Sequence, residues 1–166
     1  MHTKFTSALR INSANVEDLE KNLDCYQKAF DEVFFFSQFT HSVKSLSYHQ
    51  KQANILKPYL DMVKSKQMLA GINVLTTIGF FSEDVDPDMR AFKPYVIMEG
   101  DKIDGRICPS SKKNIQYYQE QYRIYARLHP DVIYIDDDIS SLACACDCCV
   151  KRFFKQYPEF KILTRK

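Results

Sequence analysis

The stretch LAGINVL, residues 69–75, is an apolar run broken only by Gly71 and Asn73. It is too short for a buried helix and lacks polar alternation, which suits a strand covered on both faces, as in parallel sheets. Two more runs share its character, VFFF at 33–36 and VIYI at 132–135, while SALRIN at 7–12 alternates weakly. These four segments predict four strands. Between them, apolar residues recur at steps of three and four. Val16, Leu19, Leu23, Tyr26 and Phe30 predict a first helix. Ile55, Leu56, Tyr59, Leu60 and Val63 predict a second, capped at Ser47 and kinked or broken at Pro58. A third, over 112–128, follows Ser110 or Ser111 and places Ile115, Tyr118, Tyr122 and Tyr125 on one face. A fourth carries Val150, Phe153, Phe154 and Tyr157.

Strands separated by helices imply right-handed parallel crossovers. The expected fold is α/β, four parallel βα units that read as half of a (β/α)8 TIM barrel. One partial barrel domain would span 1–166, with strands one to four present and the C-terminal half missing, because a full barrel needs about 250 residues. The interval 76–109 holds EGDKIDG, a hairpin-like turn with Gly100 and Gly105, and reads as a functional loop after strand three.

Composition narrows the function classes. The chain is 45% hydrophobic and 27% charged, an ordinary globular balance. Its 23 basic and 21 acidic residues are scattered, so no stripe suited to phosphates is present and nucleic acid is not expected as a partner. No segment approaches the roughly 20 apolar residues of a membrane span, nor does the N-terminus resemble a signal peptide. A cytoplasmic protein with no membrane partner is therefore expected. In a reducing compartment its six cysteines are more readily thiols or metal ligands than disulfides.

Five of those cysteines bear on one question. Cys144, Cys146 and Cys149 form C-x-C-x-x-C, and Cys108 follows the long loop. Thiolates close in sequence can converge on a tetrahedral ion, and a remote fourth closes a structural site. If the loops after strands three and four meet at one end of the sheet, Cys108, Cys144, Cys146 and Cys149 make a structural zinc site. Cys148 is then a spare thiol or an alternative ligand, and Cys25 a small core residue. Reduced unliganded thiols, a disulfide formed on oxidation, iron and an iron–sulfur cluster remain compatible with the spacing.

Asp136, Asp137 and Asp138 end the fourth strand. Alternation sends Asp136 and Asp138 to one side and Asp137 to the other. Crowded carboxylates raise one another's pKa, which suits a general acid, and the C-terminal end of a barrel strand is where chemistry resides. A solvated strand end, a helix cap or a magnesium site are the alternatives. Arg10, ending the first strand, could clamp a hydroxyl or carboxylate or pair with the acids. His41 and His49 follow strand two, so His41 could line the same mouth, although a lone histidine there is more often a surface polar group.

A strand ending in acids, then C-x-C-x-x-C, then an aromatic helix, with another cysteine in the preceding loop, resembles the zinc-containing β-galactosidases of glycoside hydrolase family 42 and related barrels. LRINSAN, NVLTTIGF and GRICPSS extend the likeness from about residue 8 to about residue 157. In that family the fourth strand ends in Asn-Glu, with Glu as acid/base. The resemblance implies Asp138 as the acid/base, Asp137 as its substrate-binding neighbour within the catalytic pair, and Arg10 and Asp136 as further substrate-binding residues. It places the zinc ligands at Cys108, Cys144, Cys146 and Cys149.

The departures are that Asp replaces Glu and that the family's nucleophile, on strand seven, has no counterpart. Glycosidases need two carboxyl groups across the scissile bond, so the 166-residue chain is expected to be catalytically silent. It would bind carbohydrate only as part of a complete barrel, and its open sheet edges would promote self-association. The alternative is a small non-enzymatic α/β zinc-binding interaction module.

Overall fold

The computed structural model describes residues 8–11, 16–38, 40, 42–75, 92–135 and 144–160 of the 166. Ten elements follow one another: β1 (Ala8–Ile11), α1 (Val16–Ala29), β2 (Glu32–Phe36), α2 (Leu46–Ser65), β3 (Leu69–Val74), β4 (Pro94–Val96), β5 (Lys102–Ile107), α3 (Lys112–Ala126), β6 (Val132–Ile135) and α4 (Asp147–Gln156). One sheet has the order β1-β2-β3-β6, with parallel pairing throughout. The second is an antiparallel pair, β4-β5.

Period-two alternation sorts the larger sheet into two faces. Val33, Phe35, Ala70, Ile72 and Val74 are fully buried. They meet Leu19 and Leu23 of α1, Ala53, Leu56, Leu60 and Val63 of α2, and Ile124 and Tyr125 of α3. Three helices thus share one face of the sheet. The neighbouring positions carry Glu32, Phe34, Gly71 and Tyr134. Tyr134 donates its hydroxyl to Glu32 at 2.8 Å, and the Phe34 and Tyr134 rings stand 4.9 Å apart. A methyl group on Gly71 would sit 2.7 Å from the Glu32 carboxylate and 3.0 Å from Phe34 Cβ. Gly71→Ala is therefore expected to cost about 1–3 kcal/mol through overpacking, measured as a lower urea midpoint with an unchanged slope.

The expectation of four consecutive parallel βα units, half of a TIM barrel, is overturned. After β3 the chain enters the β4-β5 hairpin, a sheet of its own, before α3 begins. Its turn closes through Ile97 N–H to Asp101 O at 3.0 Å and Gly100 N–H to Ile97 O at 3.1 Å, with Gly100 at φ +95, which glycine adopts without strain. Nor does α4 behave as the helix of a fourth unit, since none of its residues is buried.

Other expectations also change in contact with the fold. α2 runs through Pro58 for 20 residues, because that proline lies on the exposed side, where water can serve the carbonyl left without a donor. Its cap is Ser45, whose Oγ accepts from Tyr48 N–H at 3.3 Å, in place of Ser47. α3 buries Asn114, Tyr117, Gln121, Ile124 and Tyr125, while Tyr118 and Tyr122, half-buried, pack against the two core clusters from the flank of that face. Polar residues occupy that face because backbone acceptors await them: Asn114 Nδ2 donates to Lys93 O at 3.0 Å and Cys108 O at 2.8 Å. Cys25 is exposed on α1, outside the core. His49 is fully buried between the hydroxyls of Tyr125 and Tyr117, at 2.9 and 3.0 Å; His41 lies outside the described residues. Among the described residues, no helix is long and apolar enough to cross a membrane.

Candidate metal centre

Two segments deliver the thiols. Cys108 directly follows β5, so the hairpin carries it, and β3 does not. Its backbone N–H donates to Lys93 O at 2.8 Å, while Ala145 N–H donates to Val96 O at 2.7 Å, which ties the second cysteine segment to the same hairpin. Cys146 is the N-cap of α4, in extended conformation, and Cys148 and Cys149 lie in the first turn. A cap side chain folds back over the first turn of its helix, and here that brings its sulfur to those of the next cysteines.

The Sγ atoms of Cys108, Cys146, Cys148 and Cys149 all lie within 4.8 Å of one another. Cys146 is 3.3 Å from Cys108 and 3.1 Å from Cys148, and Cys108 is 3.6 Å from Cys148 and 3.5 Å from Cys149. A disulfide requires about 2.05 Å, so none of these pairs is bonded. Four thiolates at about 2.3 Å from a central zinc would stand roughly 3.8 Å apart along each edge of the tetrahedron. The observed separations approach that figure, and the cluster can hold a metal ion.

Charge around the cluster suits a cation. Cys108 is wholly buried and Cys146 nearly so. Burial pushes the Cys108 thiol far above its ordinary range and the Cys149 thiol up to about 11. Burial acts the same way on Cys146, yet hydrogen bonds from the Cys149 backbone and from the Cys148, Cys108 and Cys144 thiols outweigh it and bring Cys146 down to about 6. A divalent ion among the sulfurs would supply the positive charge that burial withholds. The amino end of α4 adds its partial positive charge. Ser110 N–H reaches Cys108 Sγ at 3.4 Å, Arg152 reaches Ser110 Oγ at 3.3 Å, and Lys93 pairs with Asp147 beside the sulfurs.

Of the expected ligands, the structure gathers Cys108, Cys146 and Cys149, with Cys148 as the fourth. Cys144 lies beside Cys146, half-buried and outside the set of four. The spacing reading held Cys148 only as a spare thiol or an alternative ligand because it did not start α4 at Asp147; a cap cysteine followed at two and three positions by others was the available signal. Arg10 stands in β1, in register with Phe34. Asp136, Asp137 and Asp138 lie outside the described residues. No protein-family model, curated protein or solved structure matches the chain.

Proposed function

We propose that this chain is a small α/β zinc-binding module in which Cys108, Cys146, Cys148 and Cys149 hold a structural ion that fastens α4 to the β4-β5 hairpin. One observation carries the reading: four sulfurs within 4.8 Å of one another, drawn from two segments about 40 residues apart in sequence and free of disulfides. Four-sulfur tetrahedral sites favour zinc or iron, and zinc brings no redox chemistry to a site whose ligand shell is closed by protein. Free thiols suit a reducing compartment such as the cytoplasm. The carbohydrate-active reading, with Asp138 and Asp137 in catalysis and Arg10 and Asp136 on substrate, rests on sequence likeness alone.

Metal analysis of protein purified without added metal tests the proposal. One equivalent of zinc per chain is expected. Cys148→Ser is expected to lower it several-fold, whereas Cys144→Ser retains it. Less than half an equivalent in the unaltered chain, or iron with its visible absorbance, would sink the zinc assignment. Dependence on Cys144 with indifference to Cys148 would restore the ligand set expected from spacing.

A further inference from the structure

Five cysteines lie together at the start of α4 and the end of β5, and four of them fill the shell of the proposed ion. Cys144 is the fifth. It is half-buried and stands outside the set of four, yet its thiol donates a hydrogen bond to Cys146, one of the ligands. The residue between the two is anchored, because Ala145 N–H donates to Val96 O of the hairpin at 2.7 Å. Side chains two apart on an extended stretch turn to the same side, and Cys146 is extended where it caps α4. A thiol that the ion does not engage is thus fixed against the ligand at which the helix begins.

We infer that Cys144 is the site at which a peroxide oxidises the metal centre and that Cys146 resolves it, so that a reversible Cys144–Cys146 disulfide takes away one ligand and releases the ion. This regulation rests on the zinc reading above. The Cys144 sulfur attacks one oxygen of hydrogen peroxide; the O–O bond breaks, a sulfenic acid forms, and the other oxygen leaves as water with the thiol proton. The Cys146 sulfur then attacks the Cys144 sulfur. An S–S bond forms, the S–O bond breaks, and the departing hydroxide takes a proton from solvent to become a second water. The two sulfurs have given two electrons to the peroxide, and Cys146 no longer binds the ion.

The arrangement selects this pair. Each of the four ligand sulfurs shares its electrons with the ion, which leaves Cys144 as the unengaged nucleophile of the cluster. An accessible cysteine poised beside a thiol that can resolve its sulfenic acid is how redox-sensing sites are built. Three sulfurs remain where a closed structural site needs four. A disulfide between cysteines two apart closes a small ring, and strained disulfides are the labile ones, so a thiol reductant and fresh zinc would rebuild the centre.

Hydrogen peroxide added to the zinc-loaded chain tests the inference, with released metal followed by a chromogenic chelator and oxidised cysteines identified by differential alkylation and mass spectrometry. Metal content before peroxide reports on the zinc reading by itself. Zinc release is expected to accompany a disulfide between Cys144 and Cys146, and dithiothreitol with added zinc should reload the chain. Cys144→Ser, which keeps its zinc at rest, is expected to release it roughly tenfold more slowly, because the sulfur oxidised first is gone. A zinc-loaded Cys144→Ser chain that loses metal at the unaltered rate overturns the inference and leaves the zinc reading standing. So does a disulfide confined to the four ligands, or zinc that peroxide fails to release. A chain without zinc before peroxide overturns the metal reading, and this regulation with it.

Discussion

Stripping the metal with a strong chelator is expected to melt α4 while the four-stranded sheet stays folded. α4 buries no side chain. Among the described residues its attachments include the sulfurs, the Ala145 to Val96 hydrogen bond, the Lys93–Asp147 ion pair and the contacts of Arg152 and Cys149 with Ser110. Exposed ion pairs contribute little, and an isolated helix shorter than about 12 residues is marginal in water. Structural zinc binds cysteine-rich peptides with about 10–16 kcal/mol of apparent free energy, far more than those remaining contacts supply. Hydrogen exchange is the direct measurement. Amides at 150–156 should lose at least tenfold protection after chelation, while those of β2 and β3 change little. Cys146→Ser should behave as the chelated protein does. Protection at 150–156 that persists in metal-free protein would show that packing, and no ion, holds the helix.

A second large effect concerns acid stability and His49. Its ring is wholly buried, and burial lowers its pKa to about 4 from an ordinary 6.5. Tyr117 donates its hydroxyl to Lys44 O at 2.7 Å, so it can accept from His49 Nε2–H, which leaves Nδ1 to accept from Tyr125. The neutral ring is thereby satisfied on both nitrogens, and a second proton would break the arrangement. The unfolded chain binds that proton near pH 6.5 and the folded one only near 4. Above 6.5 both states are neutral and the group has no effect. As pH falls from 6.5 to 4 the unfolded state takes up more protons, so stability declines, by about 3 kcal/mol in all at 1.36 kcal/mol per unit. Urea unfolding at pH 7 and at pH 4 measures the loss. Other groups of the chain also take up protons in acid, so the informative quantity is the difference from His49→Gln. That variant should be less stable at pH 7, yet lose about 3 kcal/mol less on acidification. Equal losses in both proteins would dismiss the histidine as the cause.

Much of the scaffold was legible in particular residues. VFFF and VIYI lie in β2 and β6, LAGINVL lies in β3 except for its last residue, and the three- and four-residue periodicities coincide with α1, α2 and α3. The EGDKIDG turn was visible through its glycines. That its flanks form a separate antiparallel sheet was not, since β4 has three residues and β5 mixes charged with apolar positions. The inner face of α3 was misread for a related reason. Apolar periodicity pointed to Ile115, Tyr118, Tyr122 and Tyr125, of which Tyr125 is fully buried and the others half-buried, whereas Asn114 and Gln121 went fully inside, and for Asn114 backbone carbonyls of the hairpin and of Cys108 were there to receive it.

Sequence alone determined where the four parallel strands and the first three helices form, because those choices follow from local periodicity, and it determined that a thiol-rich segment follows the last of those strands. Tertiary structure decided what those parts do together. It brought the sulfurs of Cys108, Cys146, Cys148 and Cys149 within 4.8 Å of one another and left Cys144 outside that set, buried His49 between two tyrosines, and gave α4 no buried residue. Ligand choice depends on where four sulfurs converge to within a few tenths of an ångström. That convergence is set by backbone direction at the start of α4 and by the packing of a distant hairpin, neither of which is encoded in the spacing of cysteines.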